Sequence, residues 1–218
     1  MQPDPKPTTS AVVFAYHDVG VRCLETLLEL GVRIQLVVTH QDDLAEEIWF
    51  GSVAATARRN GIPVITPENP NTPEVLSQIA ACEADYLFSF YYRLMLGDAL
   101  LNIPSRGAFN VHGSLLPRYR GRVPGNWAII HGERESGVSL HRMESKPDAG
   151  NLLAQKAVPI LTNDTAHDVF QKLMGAAEAM LLETVPEMIA GRAVEVSQDL
   201  ERGSYFSGRK PEDGRIDW

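Results

Sequence analysis

An amide and an imidazole stand two residues apart near the middle of the chain, at Asn110 and His112. They close a short apolar run and open a loop, in the stretch AFNVHGSLLPRYRGRVPGNW over 108–127. Residues i and i+2 of a strand project to the same side, so these two side chains would share one volume. A carboxylate beside the imidazole would raise its pKa and hold its orientation. Asp148, on a turn bounded by Pro147 and Gly150, is the candidate for that acid. Spacing alone also fits a plainer account, with Asn110 capping a turn and His112 a hydrogen-bonded histidine at a strand end.

Other chemistries find no support. The six histidines are scattered without HExxH or cysteine and aspartate ligand spacing, so no metal is expected. There is no GxSxG nucleophile turn. After the first apolar run the chain reads YHDVG, which is neither GxGxxG nor GxxxxGK, so no NAD or ATP site of the usual kind is expected. Cys23 and Cys82 lack metal spacing and read as reduced thiols. The net charge of −8 argues against a nucleic-acid partner. The opening MQPDPKPTTS is not a signal peptide, and no run reaches the roughly 18 apolar residues a membrane span needs. A cytoplasmic protein without membrane attachment is expected.

The elements that would position the pair follow from periodicity. Apolar runs at 11–16, 33–40, 63–66 and 84–90 read as buried strands, and 21–31, 51–61 and 72–83 as helices, with Thr72 as N-cap and Pro73 at the first helical position. This alternation implies an α/β fold, a doubly wound, Rossmann-like and largely parallel sheet. In such sheets ligands bind beyond the carboxyl ends of the strands, where His17, His40, Asn110 and His112 fall. Strands at 137–143 and 151–160, joined by ESKPDAG, add an antiparallel hairpin. A long helix follows over 165–191, with an interruption expected near Pro186, then a short strand AVEVS over 193–197. The expected organisation is a flexible tail over 1–10, a catalytic domain over 11–197, and a linker with the start of a further subdomain over 198–218.

FNVHGSLLPRYRG, SGVSLHRM and PDAGNLLAQ together resemble the 10-formyltetrahydrofolate-dependent formyltransferases, and the resemblance runs from about residue 11 to 218. It implies formyl transfer to an amine, with 10-formyltetrahydrofolate as cosubstrate and catalytic roles for Asn110, His112 and Asp148. Leu94, Met95 and Leu96, the turn of Glu144, Ser145, Lys146 and Pro147, and Arg122 would take the folate. Plain core packing is the competing reading of 94–96, and a solvated loop that of Arg120 and Arg122. The implied chemistry is attack of the amine on the formyl carbon, giving an oxyanion held by Asn110 and a protonated His112.

VVFAYHDVG, FSFYYR and GERESGVSLHRM further resemble the domains that formylate UDP-4-amino-4-deoxy-L-arabinose for lipid A modification and polymyxin resistance. Tyr16, His17, Ser114, Arg118 and Arg120 would then touch the nucleotide sugar. Glycinamide ribonucleotide enzymes carry a Gly/Ser-rich cradle where this chain has YHDVG, and methionyl-tRNA enzymes carry a Gly-Thr-Pro turn and need basic surface. A methionyl-tRNA formyltransferase and a non-catalytic module binding folate or nucleotide sugar remain the alternatives. Enzymes that the chain resembles continue past Trp218 into a small β-rich subdomain, and SGRKPEDGRIDW reads as its beginning. Assembly into homo-oligomers is left open.

Overall fold

Unbroken apolar runs have no face to offer to water and become central strands. In the computed structural model, which describes residues 9–42 and 48–215, every residue of β1 (Ser10–Ala15) and of β4 (Tyr86–Phe90) is buried. The tail expected over 1–10 lies outside the described residues up to position 8. β1 pairs in parallel with β2 (Arg33–Val38) on one side and β4 on the other. Its side chains alternate between two core layers. Ala11, Val13 and Ala15 join the layer under α1 (His17–Glu29) and α6 (Ala166–Ile189), while Val12 and Phe14 join the layer of α3 (Pro73–Ala80) and α4 (Asp98–Leu101). A strand buried on both faces is what helices covering both faces require.

With β3 (Val64–Ile65), β5 (Gly107–His112), β7 (Glu135–Arg142) and β8 (Leu152–Pro159), the sheet runs β3-β2-β1-β4-β5-β7-β8. The first five strands are parallel, and β7 and β8 run antiparallel. This is the doubly wound α/β sheet with an antiparallel hairpin that the sequence implies. β1, β4 and β5 are neighbours, so their carboxyl ends lie side by side. α2 (Val53–Arg59) and α5 (Pro124–Ile130) complete the helices, and β6 (Arg120–Gly121) pairs in parallel with β9 (Tyr205–Phe206).

Local expectations hold unevenly. Thr72 does cap α3, its hydroxyl accepting the Val75 amide at 3.4 Å. α1 begins at His17 rather than 21, because Gly20 is not a break. A Cβ there would stand 3.0 Å from Val53 and 3.1 Å from Ala15, so glycine lets the helix lie close on β1. α6 is unbroken to Ile189, since Pro186 falls in its last turn, where one missing donor leaves the rest of the ladder intact. Thr165 and Asp168 cap its start reciprocally. The strand expected over 193–197 is a single bridge, Val196 exchanging two 2.8 Å bonds with Leu152, while the neighbouring Glu195 accepts from the Arg142 guanidinium. No described helix is long and apolar enough to cross a membrane.

Candidate active site

β5 delivers Asn110 and His112, and the reversal of chain direction at β7 sets a third group between them. The register pairs Asn110 with His141 and His112 with Ser139. The Asn110 Nδ2 lies 3.2 Å from His141 Nε2, and His141 Nδ1 lies 2.8 Å from the Arg142 carbonyl. A carbonyl can only accept, so Nδ1 carries a proton, and Nε2 faces the Asn110 amide nitrogen. Asp148 Oδ1 stands 3.5 Å from His141 Nε2 and 3.4 Å from His112 Nδ1. Its other oxygen accepts the Gly121 amide at 2.9 Å. His112 Nε2 in turn donates to the Tyr119 carbonyl at 2.8 Å. Asn110, His141, Asp148 and His112 thus lie against one another as a polar cluster at the end of β5.

The loop after His112 is secured from within. Ser139 donates to the Ser114 carbonyl at 2.6 Å and accepts the Leu116 amide at 3.0 Å. Asp148 holds φ of 52° and Tyr119 φ of 56°. Both lie in the left-handed region, which non-glycine residues keep only where surrounding contacts over-determine them.

Electrostatics divide the pair. Burial pushes the Asp148 pKa up, but the charge of His112 once protonated in acid, the His141 contact and the Gly121 N–H outweigh it and hold the carboxyl down to about 2. His112 departs from expectation. Burial lowers its pKa more than Asp148 and the Tyr119 carbonyl raise it, with His141 adding to the fall. The imidazole expected to stay protonated beside its acid is therefore neutral at rest. Its side chain is only 7% exposed, and desolvation of the cation wins.

The folate-side candidates separate. Leu94 and Met95 are exposed, Met95 at 60%, whereas the Leu96 side chain packs in the core with Val12, Phe14 and Leu100. Glu144, Ser145 and Lys146 are exposed and Pro147 half-buried, and the Ser145 hydroxyl donates to Asp98 at 2.6 Å. The Arg122 side chain is exposed. Of the acceptor-side candidates, Ser114 is buried with its hydroxyl donated to the Arg118 carbonyl at 2.7 Å. Arg118 is ion-paired with Glu133, and Arg120 is half-buried. Tyr16 and His17 stand at the end of β1 as expected, but in company that the sequence did not announce. His17 stacks on Phe50 at 4.0 Å between ring centres, and Trp49 meets it edge-on at 4.7 Å. Phe170 closes the group from α6 at 4.9 Å from His17, while Trp49 is 55% exposed. His40 stacks on Tyr92 and accepts the Arg93 amide at 3.0 Å.

Among the described residues no group of His, Cys, Asp and Glu could hold a metal ion. An amide, two imidazoles and a half-buried carboxylate at the carboxyl end of a doubly wound sheet are groups that can move a proton beside a developing anion. The chain matches the family model described as formyl transferase over residues 17–185, and it belongs to that family. It is a formyltransferase enzyme. Among solved structures it resembles the sugar 3N-formyl transferase WlaRD, determined in the presence of dTDP and 5-N-formyl-THF, at 25% identity and a TM-score of 0.75, covering 92% of this chain and 70% of that one. It resembles an N-formyltransferase from Helicobacter canadensis in complex with folinic acid and dTDP-3-aminofucose at 24% identity and a TM-score of 0.72, covering 95% and 72%. Glycinamide ribonucleotide transformylase 1 from Symbiobacterium toebii matches at 20% identity and a TM-score of 0.76, covering 89% and 96%.

Proposed function

We propose that this enzyme transfers the formyl group of 10-formyltetrahydrofolate to the amine of a nucleotide sugar, and that the acceptor is UDP-4-amino-4-deoxy-L-arabinose, the amino sugar of lipid A modification and polymyxin resistance. The observation that carries the reaction is the polar cluster of Asn110, His141, Asp148 and His112. Neighbours solved with formyl-folates and dTDP or a dTDP-sugar support a folate donor and a nucleotide-sugar acceptor. The end of β1 favours the same acceptor class. It presents His17, Trp49 and Phe50, ring surfaces suited to a base and a sugar, rather than a glycine-rich phosphate cradle. The folate would lie against exposed Leu94 and Met95 and the 144–147 turn, with Arg122 at its edge. The net charge of −8 disfavours a tRNA acceptor.

The resting charges dictate the order of events. The amine nitrogen attacks the formyl carbon, and the carbonyl oxygen gains the negative charge, which the Asn110 amide stabilises by donating to it. As the new C–N bond forms, the nitrogen loses a proton to Nδ1 of neutral His112, since Nε2 already carries the proton donated to the Tyr119 carbonyl. The imidazolium so produced lies between two acceptors, Asp148 Oδ1 and the Tyr119 carbonyl. Burial opposes this cation at rest, and the adjacent oxyanion offsets that cost only during the reaction, so stabilisation is concentrated on the transition state. The same proton then passes to the leaving nitrogen of tetrahydrofolate, and the C–N bond to folate breaks.

The test is release of tetrahydrofolate measured with UDP-4-amino-4-deoxy-L-arabinose, dTDP-amino sugars, glycinamide ribonucleotide and methionyl-tRNA as acceptors. Turnover with the UDP-amino sugar well above the others is expected. Preference for methionyl-tRNA or glycinamide ribonucleotide defeats the acceptor assignment, and folate binding without turnover on any acceptor defeats the enzymatic one.

A further inference from the structure

Residues 198–206 lie beyond α6 and return across both loops of the site. Gln198 donates its side-chain amide to the carbonyls of Asp148 at 3.1 Å and Gly150 at 2.6 Å. The Ser204 hydroxyl accepts the Tyr119 amide at 2.8 Å, its carbonyl accepts the Arg120 amide at 2.9 Å, and its own amide donates to the Pro117 carbonyl at 3.2 Å. The Phe206 carbonyl accepts the Arg122 amide at 2.9 Å. The Phe206 ring stacks between Tyr119 and Trp127, each 5.2 Å away between ring centres.

Glycines make this approach possible. A Cβ on Gly121 would overlap the Phe206 carbonyl, and one on Gly203 would stand 2.8 Å from the Pro117 carbonyl. None of residues 198–206 belongs to either core layer. Their packing is against the loops that carry the Tyr119 carbonyl on His112 and the Gly121 amide on Asp148. Those loops hold Tyr119 and Asp148 in left-handed backbone, a conformation that external bonds must maintain.

We propose that segment 198–206 is a positioning strap for the catalytic pair, with Gln198, Ser204 and Phe206 as its positioning residues and the catalytic unit extending to Phe206 rather than ending at 197. Through the Tyr119 carbonyl and the Gly121 amide it sets the distance between His112 and Asp148 without touching substrate. Its kinetic consequence rests on the formyl-transfer reading; its effect on His112 does not.

The experiment uses the full chain with Phe206→Ala, Ser204→Ala and Gln198→Ala, and with Phe206→Tyr and Ser204→Thr as conservative partners. The first readout needs no substrate: nitrogen NMR of the ¹⁵N-labelled His112 ring, titrated with pH, alongside thermal melting. The second is kcat and KM for donor and acceptor. Phe206→Ala is expected to move the His112 ring signals and their titration, and to lower kcat at least about tenfold with KM changed by less than about threefold. Phe206→Tyr should restore both. Ser204→Ala, which deletes one acceptor and leaves the ring stack, should give a smaller change of the same kind and carries the test if Phe206→Ala does not fold. Unmoved His112 signals overturn the proposal even where activity falls, because the segment would then be structural only. A rise in kcat, or a loss confined to KM, also overturns it. A wild-type chain inactive on every acceptor removes the function proposed above and leaves the strap to be judged on the His112 titration alone.

Discussion

Asn110 and His141 face each other across the antiparallel β5–β7 pair, the amide nitrogen 3.2 Å from the ring nitrogen. That contact fixes which edge of the Asn110 amide points to the ring and leaves its second N–H for an oxyanion. His141 is a positioning residue on this geometry. His141→Ala frees the amide to rotate and is expected to lower kcat about 100-fold with little change in KM, as measured by steady-state tetrahydrofolate release. His141→Gln, which can still accept from the amide, should recover part of the loss. Equal losses for the two variants would sink this assignment.

Asn110→Ala and His112→Ala each remove one group from the proposed reacting centre. Losses of about 100- to 1,000-fold in kcat are expected, near 3–4 kcal/mol, with circular dichroism unchanged. A variant that keeps more than about a tenth of the wild-type rate would remove that residue from catalysis.

Asp148→Asn is the informative change at the acid, because asparagine tolerates the φ of 52° that alanine resists. The fold should survive while kcat falls, since the imidazolium loses its anion. The carboxyl titrates at about 2 in the fold against an ordinary 3.8. Its stabilisation, about 2 kcal/mol, is therefore complete above the unfolded value and is lost as pH falls from about 4 to 2. Denaturant midpoints measured across that window should lose this slope in Asp148→Asn.

Two further histidines tie stability to pH in the same sense. His112 is pulled below 6.5 by burial, and His40 to about 4 by burial and the Arg93 charge. Both are neutral in the fold, so their contribution is full above 6.5 and disappears as pH drops through the folded values. Urea midpoints should fall steadily between about pH 6.5 and 4, and His40→Gln, which keeps an acceptor for the Arg93 amide, should flatten the curve. The pH–rate profile should likewise be flat near neutrality and descend on the acid side, as His112 becomes protonated and ceases to accept a proton.

Gly150 ends the turn that carries Asp148. A Cβ there would overlap the Arg142 carbonyl, a backbone atom that cannot step aside. Gly150→Ala should cost about 2–3 kcal/mol in urea denaturation and displace Asp148 enough to reduce kcat. Near-wild-type stability and rate would show that the turn accommodates a side chain.

Much of this site is legible in the sequence, and the illegible part has identifiable causes. Asn110 and His112 can be read because strand period two acts locally, and the strands because apolar runs bounded by turns need no tertiary information. His141 depends on a non-local pairing: only the reversal at β7 sets it opposite Asn110, and its histidine is otherwise one more in SGVSLHRM. The Tyr119 carbonyl and Gly121 amide are backbone atoms and leave no signature in residue type. The charge balance at His112 is illegible for a related reason. Sequence suggests a neighbouring acid but not the desolvation that outweighs it. Trp49 and Phe50 join Tyr16 and His17 from a loop with no periodicity, and Leu96 parts from Leu94 and Met95 only because one side chain of three turns inward.

The close fit of Gly121 under the Phe206 carbonyl also restricts how this sequence can drift. Any side chain at 121 and a strand paired at 205–206 exclude one another, so homologues that replace this glycine must have parted the two backbones as well. The position is thus a marker, visible in an alignment alone, of which descendants still tie the two segments together.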